Sequence, residues 1–395
     1  MQNLRDSAER ELNENIIPFW LKAVDHHYGG FIGRMSNSGE IMEFAPKGLI
    51  LTSRILWTFS RLYRKDPRPQ FLAAAQRAFE YVNLNFRDTH YGGYYWMVSY
   101  IGEPVDVKKK VYGQAFVIYA LAEFALATGD GIALKMAKTL FKIIERKCRD
   151  QKHLGYYESF NRDWTVAADY RLSKKDMDEK KSMNTHLHLL EAYTNLYRVW
   201  PDNAVKKALQ TLLDIFLCHI IDPDTSCFRL FFDEQWTPKT ERISFGHDIE
   251  GSWLLAEAFE LLNGGSIPET LTSICLGLVD AVQQKGVHDD GSVLYEGNRT
   301  GIVDNSRHWW VQAEAVVGFV NAFQLSRKKR YLERAIRCWQ FIEKFVIDKH
   351  GEWFWKVNEQ GRPDQCEYKV SEWKGPYHNS RACLELMKRL DRESL

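Results

Sequence analysis

A short run of glycine and aromatic residues recurs six times along this chain, and no other feature constrains the fold as tightly. The runs are His27-Tyr28-Gly29-Gly30-Phe31, Tyr91-Gly92-Gly93-Tyr94-Tyr95-Trp96, Gly155-Tyr156-Tyr157, Cys227-Phe228-Arg229-Leu230-Phe231-Phe232, Gly291-Ser292-Val293-Leu294-Tyr295-Glu296 and Gly351-Glu352-Trp353-Phe354-Trp355. From Gly30 through Gly93, Gly155, Cys227 and Gly291 to Gly351, the steps are 63, 62, 72, 64 and 60 residues. A near-constant period marks a repeat architecture. Two amphipathic stretches lie between successive runs, so six repeats predict about twelve helices closed into a ring around one central cavity.

Apolar positions fall at helical spacing over 48–63 and 70–86, with Pro67 and Pro69 breaking the chain between them. The same pairing covers 111–127 with 130–147, 182–200 with 203–220, 248–262 with 268–284, and 309–325 with 330–346. A closing helix, 378–391, completes the ring with the N-terminal stretch 3–23. Gly129-Asp130, Pro201-Asp202 and Asn263-Gly264-Gly265 read as tight connections. No linker or low-complexity tract interrupts the pattern, so residues 1–395 read as one all-α domain.

The inner helices should be those apolar nearly all round, such as 115–127, and the outer ones those rich in charge, such as 327–345. Arg54, Asn184, His188, Glu250 and Glu314 then stand out as polar residues inside otherwise apolar inner helices. Burying such groups alone is costly, so they must pair with each other or face a wet cavity.

With Lys plus Arg at 53 and Asp plus Glu at 52, the net charge of +1 offers no electrostatic footprint for nucleic acid or an anionic membrane. The start, Met1-Gln2-Asn3-Leu4-Arg5-Asp6, has no apolar signal core, and no stretch approaches the 18 or more apolar residues of a membrane span. Seven scattered cysteines without a Cys-x-x-Cys suit a reduced, cytoplasmic enzyme, with a Cys218–Cys227 disulfide as the alternative. Thirteen tryptophans suit the flat faces of sugar rings, although most such rings serve core packing.

The sharpest chemical segment is Ser244-Phe245-Gly246-His247-Asp248-Ile249-Glu250, a loop running into a helix with Glu250 three residues after His247. A second is Trp373-Lys374-Gly375-Pro376-Tyr377-His378-Asn379. A third is Met183-Asn184-Thr185-His186-Leu187-His188, where Asn184 and His188 share one helical face. Histidine titrates near neutrality and suits proton removal and return. No His-Glu-x-x-His or other metal-ligand spacing occurs, so neither metal nor cofactor is expected. Trp310 and Glu314 lie four apart on one helix, an aromatic platform beside a carboxylate, while neighbouring Trp309 reads as core. Arg54, on an apolar helix, should meet an anion: either a glutamate or an oxyanion formed in a reaction.

Taken together, Gly246-His247-Asp248-Ile249-Glu250, Trp309-Trp310-Val311-Gln312-Ala313-Glu314-Ala315, Met183-Asn184-Thr185-His186-Leu187-His188 and Pro376-Tyr377-His378-Asn379 resemble the signature segments of the cellobiose 2-epimerases, within the N-acylglucosamine 2-epimerase superfamily. The resemblance runs from about Ile16-Ile17-Pro18-Phe19-Trp20 to the C-terminus. It implies an (α/α)6 barrel of six helix pairs with short hairpin loops at one end, in agreement with the repeat count. It further implies that His247 and His378 form an acid–base pair at C2, and that His188 bonds the C1 oxygen and assists ring opening. Arg54, Tyr112 and Asn184 would line the reacting sugar, Glu250 would orient His247, and Trp309, Trp310, Glu314 and Trp373 would form the binding wall. Asp176, in Ser173-Lys174-Lys175-Asp176-Met177, would join them. Gly375 and Ser380 depart from the Cys and Gly of the pattern, both small exchanges beside the histidine.

These readings make a cofactor-free enzyme acting on a small carbohydrate, a monomer or weak homodimer, that inverts C2 of the glucose unit at the reducing end of a β-1,4 disaccharide. The stretch Tyr295-Glu296-Gly297-Asn298 departs from an Asn-Glu of some members, which keeps a mannose/glucose 2-epimerase as the rival. Two further classes fit the same residue types: a glycoside hydrolase relying on Glu250 and Glu314, and a non-catalytic sugar-binding module.

Overall fold

This computed structural model describes residues 1–392, and over them the predicted stretches fold as twelve helices. Three of the outer ones and the N-terminal one carry a π-helical turn. In chain order they are α1 (Gln2–Glu11, through Leu12–Ile16 into Ile17–Lys22), α2 (Leu49–Lys65), α3 (Pro69–Tyr81, then Val82–Phe86), α4 (Val111–Thr128), α5 (Gly131–Lys147) and α6 (Met183–Val199). They continue with α7 (Asn203–Ile215, then Phe216–Ile220), α8 (Phe245–Leu262), α9 (Glu269–Lys285), α10 (Trp309–Ser326), α11 (Lys329–Phe341, then Ile342–Val346) and α12 (Tyr377–Arg392). The even-numbered helices pack each against the next, and α12 returns to α2, so the inner ring is closed. Each odd-numbered helix packs outside an inner one, with α1 against α12. The architecture is an (α/α)6 barrel.

Apolarity sorts the two layers. Helix α4 is buried from Val111 through Ala125 because it touches neighbours on every side. It meets the length and hydropathy of a membrane span, contrary to the expectation that no stretch would, yet its apolar surface is spent on the barrel interior. The outer α11 buries only a stripe, Tyr331, Ala335, Cys338, Trp339 and Phe341, at the spacing expected of one helical face.

The Gly–aromatic runs are the second strands of small hairpins that follow each outer helix, with Val24 bridging Phe31, Arg87 bridging Tyr94 and Arg149 bridging Tyr156 in the first three repeats. The residues just before each inner helix pair antiparallel with the next hairpin: Lys47-Gly48 with Met97-Val98, Lys109-Lys110 with Ser159-Phe160, Lys181-Ser182 with Phe231-Phe232. Met35 pairs with Val370 and stitches the ring shut. Buried lysines clamp four of the hairpins. Lys47 Nζ donates to Asp25 (2.7 Å), Lys109 to Asp88 (2.9 Å), Lys181 to Asp150 (2.8 Å), and Lys369 to Asp348. The fourth residue of an inner helix bonds the hairpin backbone as well: Gln114, His186, Asp248 and Gln312 accept from the amides of Tyr94, Tyr156, Phe228 and Val293. Asp248 and His186 are therefore structural. The inner-helix N-termini are thus held rigidly at one mouth of the barrel.

All seven cysteines are free; Cys218 is exposed and Cys227 buried, so a disulfide between them is not realised.

Candidate active site

Because 3.6 residues make a turn, the second and sixth residues of each inner helix share a face, here the face turned into the barrel. The second positions supply Tyr112, Asn184, Gly246, Trp310 and His378, and the sixth supply Arg54, Phe116, His188, Glu250 and Glu314. Gly246 has to be small, since a Cβ there would lie 2.6 Å from the Trp310 ring.

A cavity of about 380 Å³ opens at this mouth, and of the twelve residues expected at the site only Glu314 does not line it. His188, His247 and His378 converge on it from α6, α8 and α12. His247 and His378 both pack on the indole of Trp310, with ring centroids 4.7 and 5.8 Å away. His188 rests against Tyr112 and Phe116. Each imidazole is tied back through Nδ1: His188 to Glu191 (2.9 Å), His378 to Glu314 (2.7 Å) and His247 to the Ser244 hydroxyl (2.7 Å). That leaves the three Nε2 atoms for whatever enters the cavity. Burial, reinforced by nearby His188, pushes His247 down to about 3. Burial together with Arg54 and Arg381 holds His378 well below the usual imidazole range. Both shifts favour the neutral imidazole.

Glu250 does not orient His247 as expected. One of its oxygens accepts from Arg381 (2.5 Å), and the other has no partner among the described residues. Ser244, immediately before the helix, takes the imidazole instead. Glu314 is likewise no part of the binding wall. It lies a turn below Trp310, behind His378, and bonds Arg381 (2.7 Å) and the Trp253 indole (3.2 Å). Arg54 meets no carboxylate among the described residues. Its guanidinium donates to the Trp373 carbonyl (2.7 Å) and the Tyr112 hydroxyl (3.1 Å) and lies over the rings of Phe116 and Tyr377. Of the two anions offered for it, the glutamate is absent. Trp309 both packs against Trp355 and lines the cavity.

The residue that organises the floor, Arg381, is one that sequence reasoning misses. Its guanidinium contacts Glu191, Glu250, Glu314 and the Tyr377 hydroxyl, all buried. Burial and the Glu314 charge raise Glu250 to about 7, and burial raises Glu314 despite Arg381. Burial works to raise Glu191 too, but Arg381 and His188 outweigh it and hold its carboxyl below the ordinary range. Glu191, Ser244, Trp355, Glu367 and the stacked pair Tyr295–His308 (3.9 Å between centroids) are further unpredicted members. The signal for Arg381 is an arginine three residues after His378 on the inner face of a helix.

Glu250, Glu314 and His378 bring ligand-type atoms within 4.8 Å of one another, but the Arg381 guanidinium already bonds both carboxylates. A separate cavity of about 480 Å³ occupies the opposite mouth, where Arg64 pairs with Glu123, Arg198 with Glu257 and Lys388 with Glu385. No histidine lines it.

The chain matches the profile of the N-acylglucosamine 2-epimerase (GlcNAc 2-epimerase) family over residues 30–382. It belongs to that family. It is 44% identical over 387 residues to the cellobiose 2-epimerase of Bacteroides fragilis, covering 97% of this chain and 98% of that one. With the cellobiose 2-epimerase of Dictyoglomus turgidum the identity is 41% over 389 residues, covering 98% and 99%. The solved structure of cellobiose 2-epimerase from Spirochaeta thermophila matches with a TM-score of 0.94 at 41% identity, over 100% of this chain and 98% of that one. The protein is a carbohydrate 2-epimerase.

Proposed function

We propose that the chain interconverts the glucose and mannose units at the reducing end of a β-1,4-linked disaccharide, through proton transfer at C2. The observation that carries this reading is the convergence of three back-tied imidazoles on one cavity beside an arginine without a carboxylate partner among the described residues. His188 assists opening of the ring through O1, and the C1 carbonyl so formed acidifies the C2 proton. His247 or His378 removes it, leaving a cis-enediolate whose oxygens take hydrogen bonds from Arg54 and His188. The other histidine returns a proton to the opposite face and the centre inverts. Tyr112, Asn184 and the free oxygen of Glu250 hold hydroxyls of the reacting unit. Trp373, Trp355 and Glu367, which also line the cavity, are assigned to the second sugar.

A glycoside hydrolase would lack its geometry here. Glu250 and Glu314 share one guanidinium and Glu314 does not line the cavity, whereas a glycosidase pair must flank a bond of the bound sugar. Incubation with cellobiose in heavy water tests the reading. Deuterium at C2 and a glucosyl-mannose product are expected, undiminished by EDTA. Release of free glucose, turnover of mannose but not the disaccharide, or dependence on an added divalent ion would each overturn it.

A further inference from the structure

The six-fold repeat supplies internal controls for a serine that no motif singles out. Two repeats place serine immediately before the inner helix, Ser182 before α6 and Ser244 before α8. Ser182 behaves as a helix cap, its hydroxyl accepting from the Thr185 amide (3.1 Å) and donating to Glu158 (2.8 Å). Ser244 makes no cap bond; its hydroxyl is turned to His247 Nδ1 at 2.7 Å. The backbone of Ser244 is pinned by antiparallel pairing with Glu296, and the residue is buried.

The three site histidines therefore differ in what stands behind them. Carboxylates stand behind His188 and His378 and, when ionised, can only accept, which fixes the proton on Nδ1. A hydroxyl both donates and accepts, so it holds a neutral ring in either tautomer and offers no charge to an imidazolium. We infer that Ser244 is a positioning residue that keeps His247 neutral and aimed into the cavity, making it the member of the C2 pair that is not backed by a carboxylate. The groups facing His247 do not supply a substitute: His188 on α6 and His378 on α12 are like-charged when protonated, and Glu250, one oxygen of which accepts from Arg381, makes no bond to the ring.

This rests on the epimerase reading, so the wild-type protein must first epimerise the disaccharide; if it does not, that reading fails and not this one. With wild-type activity in hand, Ser244→Ala should lower kcat about 10- to 100-fold, the usual cost of losing the outer partner of a functional imidazole, with KM nearly unchanged. Ser244→Thr keeps the hydroxyl on the extended backbone of residue 244 and should recover most of the loss. Ser244→Asp places a carboxylate behind the ring and should move the acidic limb of the kcat/KM profile to higher pH by about one unit or more. Equal losses in the Ala and Thr variants would assign Ser244 to packing and overturn the proposal. So would an Ala variant with wild-type kcat, or an active Asp variant with an unmoved limb.

Discussion

Replacing Glu250 with glutamine should make the protein more stable at neutral and alkaline pH while impairing catalysis. Glu250 is buried and its carboxyl is pushed up to about 7 from the ordinary 4.5, by burial first and then by Glu314, with Arg381 opposing. Because the folded value lies above the unfolded one, the folded state holds more protons between pH 4.5 and 7 than the unfolded chain does. The stability linked to Glu250 is fully present below pH 4.5 and is lost as pH rises through 7. At pH 8 the gap is worth about 3 kcal/mol, taking about 1.4 kcal/mol for each tenfold in proton affinity. Glutamine keeps an oxygen for Arg381 and never ionises, so Glu250→Gln removes this penalty. With unfolding entropy near 2.1 cal/mol/K per residue, a chain of this length should melt about 4 °C higher at pH 8. The advantage should shrink toward zero near pH 4.5. Calorimetry of both proteins between pH 4.5 and 8.5 checks this. A Glu250→Gln protein no more stable than wild type at pH 8, or one whose advantage does not change with pH, would refute the assignment of Glu250 as a buried carboxyl strained by Glu314.

His247→Ala and His378→Ala should each lower kcat by about 10²–10⁴-fold without unfolding the barrel, read from steady-state kinetics beside circular dichroism; near-normal turnover in either would contradict the two-histidine scheme. Arg54→Leu should cost about 10²–10³-fold in kcat with a smaller change in KM, since an enediolate charge exists only in the transition region and the intermediate; a pure KM effect would make Arg54 a ground-state contact. Trp373→Ala should raise KM more than it lowers kcat, and more for a disaccharide than for mannose, because its indole, packed edge-on against Trp96 and tilted against Tyr112, offers contact made equally before and during reaction. Equal losses for both substrates would place that indole at the reacting sugar.

The ring was legible because its period is written in covalent sequence: the Gly–aromatic runs are the hairpins, and every predicted helix is present. The cavity lining was legible for a related reason, since Arg54, His188 and Glu250 are polar residues at the inward sixth position of apolar helices, where solitary burial is not tolerated. What lay beyond reach were choices among partners that only assembly brings together. Histidine followed three residues later by glutamate occurs twice, as His188–Glu191 and as His247–Glu250. Helical spacing alone predicts the same bond in both. It forms in the first at 2.9 Å and not in the second. His188 sits at the sixth position of α6, so Glu191 lies deeper, where it is shared between the ring and Arg381. His247 is the third residue of α8, one turn higher, with Ser244 beside it and Glu250 itself at the level of the arginine. The two identical spacings therefore start from different heights in the barrel: Arg381, contributed by α12 from across the ring, bonds one oxygen of each glutamate, and at the height of His247 it is Ser244, the residue before α8, that meets the ring.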